Sequence, residues 1–595
     1  MSDGSNEPGS ARAGLVVLLL ALLPAASAPW IVPGFVTQDG PAHAYNAHIL
    51  LESLRLGADS PFAAVYEPRW RPLPNLGGHL GLMGLLALLP PRPADRAMTT
   101  ISLVGFALTI AWLRWRVAGR LGFPGAAVLS ALLAINMPWL MGFSNFLIGA
   151  TLLVLTLGLW WGWRDRLGPP RSAAIGLMLV LGYLGHLVSL GLTAGALVVL
   201  SVCSPGGDRR RRVGWTAVAC LPMIPMALLY RSLTAEGGAF EPSWEQSGPI
   251  LSPSLWARRL SWIDPVALGR RDLFPLRSGW DGPWCLALSP SLWLGLGLAV
   301  SVGGTVLGGR PTAGRDRRPW LVLSTLLLVG AAVGPDGFGD DHGYFLAQRV
   351  ALVGLACLVP ALELDPRTRP GRVASGLIAL ALALQTAFVW DYAAESGRRA
   401  GALLASTPEV GRGNRVGTLL VDIRGRYRAN PLLHADSLLG VGTGNVIWSN
   451  YETRHYYFPV QLRPGVDAPP SLAFERIALL DDPEDADDRA EAWAGLLRSH
   501  GDAIDVVLCW GDAPGLDAIT ASWAGSGPGF ESGSVRVYRR PGAGAGPLPA
   551  RLRGRSPPPP FSPSDRLRPR MERSDSTSRP RGADAWSIGD DRPGT

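Results

Sequence analysis

Long apolar runs broken by clusters of arginine limit what this chain can fold into more than any other feature. A first run covers 14–36. Others follow at 97–115, 122–140, 142–162, 172–186, 188–203, 213–231, 286–308, 319–335, 343–364 and 371–392, eleven in all. Most approach the roughly 20 residues a helix needs to cross a hydrocarbon core. With 48% hydrophobic and 17% charged residues over 595 positions, the chain reads as a multi-spanning membrane protein with a soluble part. All 55 basic residues are arginine. In a chain rich in Ala, Gly and Pro this is a coding bias, and the net charge points to no nucleic-acid partner. The five cysteines, Cys203, Cys220, Cys285, Cys357 and Cys509, show no ligand-like spacing.

The arginines set the topology. Clusters at Arg114/Arg116/Arg120, Arg164/Arg166/Arg171, Arg209 to Arg212, Arg310/Arg315/Arg317/Arg318 and Arg367/Arg369/Arg372 all fall on the cytoplasmic side under two conditions. The short run 77–91 must lie in the outer interface without crossing. The stretch 172–203 must cross twice, since a single helix of that length would be about 48 Å long; Gly182, Gly185 and Gly191 flank a break at His186. Residues 1–13 are then cytoplasmic. Ala26-Ser27-Ala28 also matches a signal-peptidase site, and either reading leaves Asp39 outside.

Residues 393–545 change character and read as an extracytoplasmic α/β domain. Arg415 to Val421 and Ile504 to Trp510 are strand-like, Glu484 to Ser499 is helical with an acidic start and basic end, and Ser534 to Tyr538 alternates as an edge strand. Residues 546–595, with Pro557 to Pro560 in a row, are a disordered tail by composition.

This topology gathers one set of polar residues on the outer side. Gln38-Asp39-Gly40-Pro41-Ala42-His43 runs on to His48. Asn145 follows Gly142-Phe143-Ser144, His186 follows Tyr183-Leu184-Gly185, and Asp336 to His342 precedes Tyr344 and Arg349. An acidic residue at a membrane border needs work or a partner. Asp39 suits a general base or a metal ligand, with Asp336, Asp340 or Asp341 as further carboxylates. Arg349 suits a phosphate. Each has a plainer reading: Asp39 as a helix cap, His186 and Asn145 as interhelical hydrogen-bond partners, Arg349 as a mate for Asp340 or Asp341. The tryptophans of 244–284 read as interfacial anchors, and His79 as a solvated position.

The motifs Gln38 to His43, Asn145-Phe146-Leu147-Ile148-Gly149, Tyr183 to His186 and Tyr344-Phe345-Leu346-Ala347-Gln348-Arg349 resemble those of bacterial membrane proteins of the GT-C glycosyltransferase superfamily; so does Asn445 to Val460. The layout over 14–392 is similar to that of protein O-mannosyltransferase-like and aminoarabinose-transferase-like enzymes. The resemblance implies a GT-C-type bundle of about eleven spans (14–392), mainly α, in the inner membrane. It implies a polyprenyl-phosphate sugar donor, inverting transfer on the outer face to a cell-envelope acceptor, and Asp39 as the catalytic or metal-linked acid with His43 in support. Arg349, His186 and Asn145 would be substrate-binding, and a divalent metal would sit on Asp39, Asp340 and Asp341. Many relatives carry a second acid where this chain has Gly40, so the local carboxylate pair is missing. The alternative function is a non-catalytic carrier of lipid-linked glycans or an envelope assembly factor. The polar residues cluster at one face and no internal repeat is visible, which favours the enzyme.

Overall fold

The structure, a computed structural model, describes residues 9–119, 122–234, 242–243, 253–268, 287–307, 311–338, 343–421, 423, 425–480 and 485–542. The described part is mainly helical. Five helical stretches in it are long and apolar enough to cross a bilayer: Arg12–Ile31, Pro91–Ala118, Ser144–Arg166, Arg209–Thr234 and Arg369–Val410. Shorter apolar helices include Leu76–Leu88, Phe123–Ala134, Leu187–Cys203, Pro290–Val306 and Leu346–Ala361. Leu20, Leu23, Ile31, Ile101, Leu177, Leu228, Val306 and Leu326 are exposed on the helical part. An apolar surface of that extent belongs against lipid, and the chain is a multi-pass membrane protein.

Several segments differ in detail from the sequence reading. The run 122–140 is a helix of only 12 residues, Phe123–Ala134, then a break and the short helix Met137–Leu140. Asn136 makes the break: its amide donates to the carbonyls of Leu133 and Ala134, and its Oδ1 accepts from Trp139 N. The run 213–231 is interrupted at Leu221 and Pro222, between Arg209–Cys220 and Met223–Thr234. The break at His186 is present: Pro169–Gly185 ends there and Leu187–Cys203 begins, with His186 itself extended.

The described residues include seven short strands: β1 (Tyr66–Pro68), β2 (Arg415–Leu420), β3 (Val446–Ile447), β4 (Val460–Leu462), β5 (Val506–Trp510), β6 (Phe530–Ser532) and β7 (Val535–Arg539). Five form one sheet in the order β3-β2-β5-β7-β6. β3 and β5 flank β2 in parallel, and β7 runs antiparallel to β5 and β6. The sequence reading puts β7 at an edge. It lies inside because Val535, Val537 and Tyr538 are all buried, which an edge strand could not sustain on both faces; β6 takes the edge.

The sheet shares its core with the start of the chain. Val416, Leu508 and Val537 belong to one apolar cluster with Tyr45, Ile49, Phe62 and Tyr66. β1 pairs antiparallel with β4, joining residues 66–68 to 460–462. A second, larger cluster fills the helical part.

Candidate active site

The helix Gly40–Leu56 begins at Asp39, with Pro41 in its first turn, a position where proline's missing N–H is harmless. It is held along its length by the C-terminal part of the chain. Tyr45, fully buried, donates to the carbonyl of Asn445 (2.9 Å) and accepts from Ile447 N (3.1 Å). Asn46 and Asn450 exchange two amide hydrogen bonds, each 2.9 Å. His48 accepts from Gly442 N at 3.0 Å, which makes it a structural residue. The Gln38–His48 stretch and Asn445–Val460 are therefore two halves of one assembly.

A second grip fixes Asp39. Gln38 N and Asp39 N donate to the carbonyls of Leu140 and Met141. The turn must come close for this. Gly142 sits at φ 79°, and a Cβ there would lie 2.6 Å from Gly40 N and 2.7 Å from Thr37 Oγ1. Only glycine fits such an approach. Gln38 accepts from Asn430 N (2.9 Å) and donates to Asp39 Oδ1 (3.3 Å). The Asp39 carboxyl makes no cap hydrogen bond to its helix, which removes the capping role. It instead meets the Tyr451 hydroxyl (3.4 Å) and His434 Nε2 (3.7 Å). Burial pushes its pKa from 3.8 up to about 7, against the lowering pull of His43 and the Gln38 amide.

Asp39 faces a cavity of about 190 Å³. Five residues expected from sequence line it together: Asp39, His43, Asn145, His186 and Arg349. Asn145 Oδ1 accepts from Gly78 N (2.8 Å), tying Leu76–Leu88 to Ser144–Trp163. His186 caps its helix by accepting from Val188 N at Nδ1 (3.2 Å), and its Nε2 lies 3.2 Å from Arg349 Nη1. Arg349 lies over the rings of Phe143 and Phe146. Among the described residues no carboxylate comes within ion-pair distance of it. Four residues earlier Phe345 holds a left-handed φ of 63°, rare for an aromatic residue and placed at this same wall.

Other expectations fall elsewhere. Asp340 and Asp341 lie outside the described residues, so the three-carboxylate metal set and their pairing with Arg349 do too. Asp336 is buried and bound to Arg259 Nη1 and to Trp262 Nε1 (3.2 Å), a structural ion pair away from the cavity. Trp262 is no interfacial anchor: it is 7% exposed and stacked on Phe345. Trp244, Trp280 and Trp284 lie outside the described residues, as does the tail 546–595.

The sequence reading missed the opposite wall. His434, Tyr451, Arg454, His455, Tyr457, Phe458 and Glu475 all face the cavity from the C-terminal part. Arg454 pairs with Glu475 (2.6 Å), and His455 stacks on Tyr457. Behind them Glu452, 0% exposed, bridges two histidines: Oε1 to His43 Nδ1 (2.5 Å) and Oε2 to His79 Nε2 (2.8 Å). His79, expected in solvent, is also 0% exposed, and its Nδ1 donates to the carbonyl of Asn75 (2.9 Å). The aromatic run Tyr456-Tyr457-Phe458 next to His455 is the one local signal, and it does not single out Glu452.

His43, His79 and Glu452 bring three atoms of metal-ligand type within 4.8 Å of one another. Their arrangement fits protons better than a metal. Two ligands on a tetrahedral zinc with bonds near 2.0 Å stand about 3.3 Å apart, whereas His43 Nδ1 and Glu452 Oε1 are at hydrogen-bond distance, 2.5 Å. The three side chains form a hydrogen-bonded group.

No protein-family model matches the chain, and no curated protein matches it. Among solved structures it is similar to the arabinofuranosyltransferase AftD from Mycobacteria, with a TM-score of 0.47 and 13% identity over 89% of this chain; it spans 40% of AftD's length. It is also similar to the Archaeoglobus fulgidus oligosaccharyltransferase solved with zinc and sulfate (TM-score 0.43, 14% identity, 86% of this chain and 70% of that one). A third likeness is to the oligosaccharyltransferase AglB of A. fulgidus with an inhibitory peptide and a dolichol-phosphate (TM-score 0.33, 13% identity, 84% and 69%).

Proposed function

We propose that this chain is a membrane glycosyltransferase that moves a sugar from a polyprenyl-phosphate donor to a cell-envelope acceptor on the outer face of the bacterial inner membrane. The observation that carries this is the pairing of Asp39 and Arg349 across one cavity: a buried carboxyl free of any cap role, and a cation without a carboxylate partner among the described residues.

The chemistry is a single displacement. The acceptor's hydroxyl oxygen attacks the anomeric carbon while the bond from that carbon to the phosphate oxygen breaks. The electron pair leaves with the phosphate, beside Arg349. The hydroxyl proton goes to Asp39, whose pKa of about 7 suits a base at neutral pH. Phe143, Phe146, Leu187 and Val188 give the cavity an apolar side toward the membrane helices, suited to a lipid-linked donor. The facing wall, with stacked His455 and Tyr457 and the Arg454–Glu475 pair, suits the hydroxyls and ring faces of a sugar. The test is sugar transfer from such donors by wild-type membranes, compared with Asp39→Asn.

A further inference from the structure

Counting protons behind the cavity gives Glu452 and His79 a part to play. A backbone carbonyl only accepts, so the contact with Asn75 O puts a proton on His79 Nδ1. A proton lies between His43 Nδ1 and Glu452 Oε1, and His79 Nε2 stands 2.8 Å from Glu452 Oε2. The two histidines hold the Glu452 carboxyl down at about 2, against its burial, so it is the carboxylate and the proton shared with His43 belongs to the imidazole. His43 has its Nδ1 committed to Glu452 and keeps Nε2 for the cavity it lines. Burial works against a charge on His43, but Glu452 outweighs it and raises the basicity of the ring, with smaller help from Asp39 and Asp95; His43 is in turn the leading group holding Asp39 down.

The other groups facing Asp39 do not supply that charge. His434, beside Asp39 Oδ1, is held neutral by burial, its pKa lowered to about 3. Tyr451 and Gln38 are neutral donors, and Glu475 and Glu452 push the Asp39 pKa up. Arg349 stands across the cavity.

We propose that Glu452, fixed in place by its second contact with His79, is a positioning residue that holds His43 as an imidazolium, and that this cation keeps Asp39 ionised as the base. Only the kinetic half of the proposal rests on the glycosyl-transfer reading.

Glu452→Gln isolates the charge. The amide oxygen still accepts from His43 Nδ1, the amide NH₂ faces His79 Nε2, and His79 Nδ1 keeps its bond to the Asn75 carbonyl. Every hydrogen bond survives and only the carboxylate is lost. The experiment measures two things on full-length protein in detergent. The first is the pH dependence of diethyl pyrocarbonate labelling at His43, read by peptide mass spectrometry, which needs no activity. The second is the acid limb of the transfer rate. The expected result is a fall of about one pH unit or more in the His43 midpoint, with the acid limb of transfer moving to higher pH. His79→Gln, which leaves the carboxylate and removes its second partner, should move the His43 midpoint the other way. An unmoved His43 midpoint in both variants overturns the proposal. A midpoint and an acid limb that fall together also overturn it, because His43 would then be the base. A shifted midpoint in a protein with no transfer activity upholds the charging of His43 and removes the glycosyl-transfer reading instead.

Discussion

Arg349 Nη1 and His186 Nε2 lie 3.2 Å apart, facing each other as two donors. His186 Nδ1 is already accepting from Val188 N, so its ring proton sits on Nε2, and a guanidinium has no lone pair to offer it. An anionic oxygen in the cavity would accept from both, as a phosphate linked to lipid does.

Arg349→Gln is therefore expected to raise the donor KM at least about 10-fold, and Arg349→Lys to recover part of it, since Lys keeps the charge but loses the fork. Steady-state kinetics with a synthetic polyprenyl-phosphate sugar measures this. An unchanged KM in Arg349→Gln would take Arg349 out of donor binding.

The raised pKa of Asp39 has a cost that pH exposes. A carboxyl at about 7 in the folded protein and 3.8 unfolded binds its proton more tightly when folded. Stability from this group is thus highest at low pH and declines as pH rises from about 4 through about 7, by up to roughly 4 kcal/mol. Asp39→Asn should melt higher than wild type at pH 8, with the gap closing near pH 4. Melting curves in detergent at both pH values give the comparison.

Gly78 tests how tightly the cavity is braced. A Cβ at this position would lie 2.2 Å from Asn145 Oδ1. Gly78→Ala should displace Asn145 and break its bond to Gly78 N, lowering transfer about 10-fold or more while leaving the protein membrane-inserted and folded. Transfer equal to wild type would show that Asn145 need not be held there.

The Asn46–Asn450 exchange carries the register between the two halves of the site. Asn450→Ala leaves the buried Asn46 Oδ1 without its donor, Asn46 Nδ2 keeping only the Ala42 carbonyl, and should cost about 1–3 kcal/mol, whereas the double variant Asn46→Ala/Asn450→Ala should cost less than the sum of the two single changes. A double-mutant cycle on thermal stability measures the coupling.

The sequence marks the residues that stand out against apolar surroundings. Asp39, His43, Asn145, His186 and Arg349 sit in or beside hydrophobic runs, where each polar group is conspicuous, and they line one cavity. Tyr451, Glu452, Arg454 and His455 are not legible because they lie in a polar stretch where nothing in the local pattern separates a buried carboxylate from a solvated one. Their burial depends on the helix Gly40–Leu56 some four hundred residues earlier in the chain, at Asn46 and Asn450 for example. His79, a lone histidine among glycines and leucines, has the same local character as His186 and belongs with it. Strands β2 and β5 are legible in their apolar runs. The inner position of β7 depends on β6, whose three residues Phe530–Ser532 are too short and too polar to announce a strand.

The most direct test of the central claim is transfer from radiolabelled polyprenyl-phosphate sugars in membranes holding equal amounts of wild type or Asp39→Asn. Asparagine keeps the size and its contacts with Tyr451 and Gln38 but cannot take a proton. The account predicts transfer by wild type and a loss of about 100-fold or more in the variant. Equal transfer by both would contradict it and remove Asp39 from the chemistry.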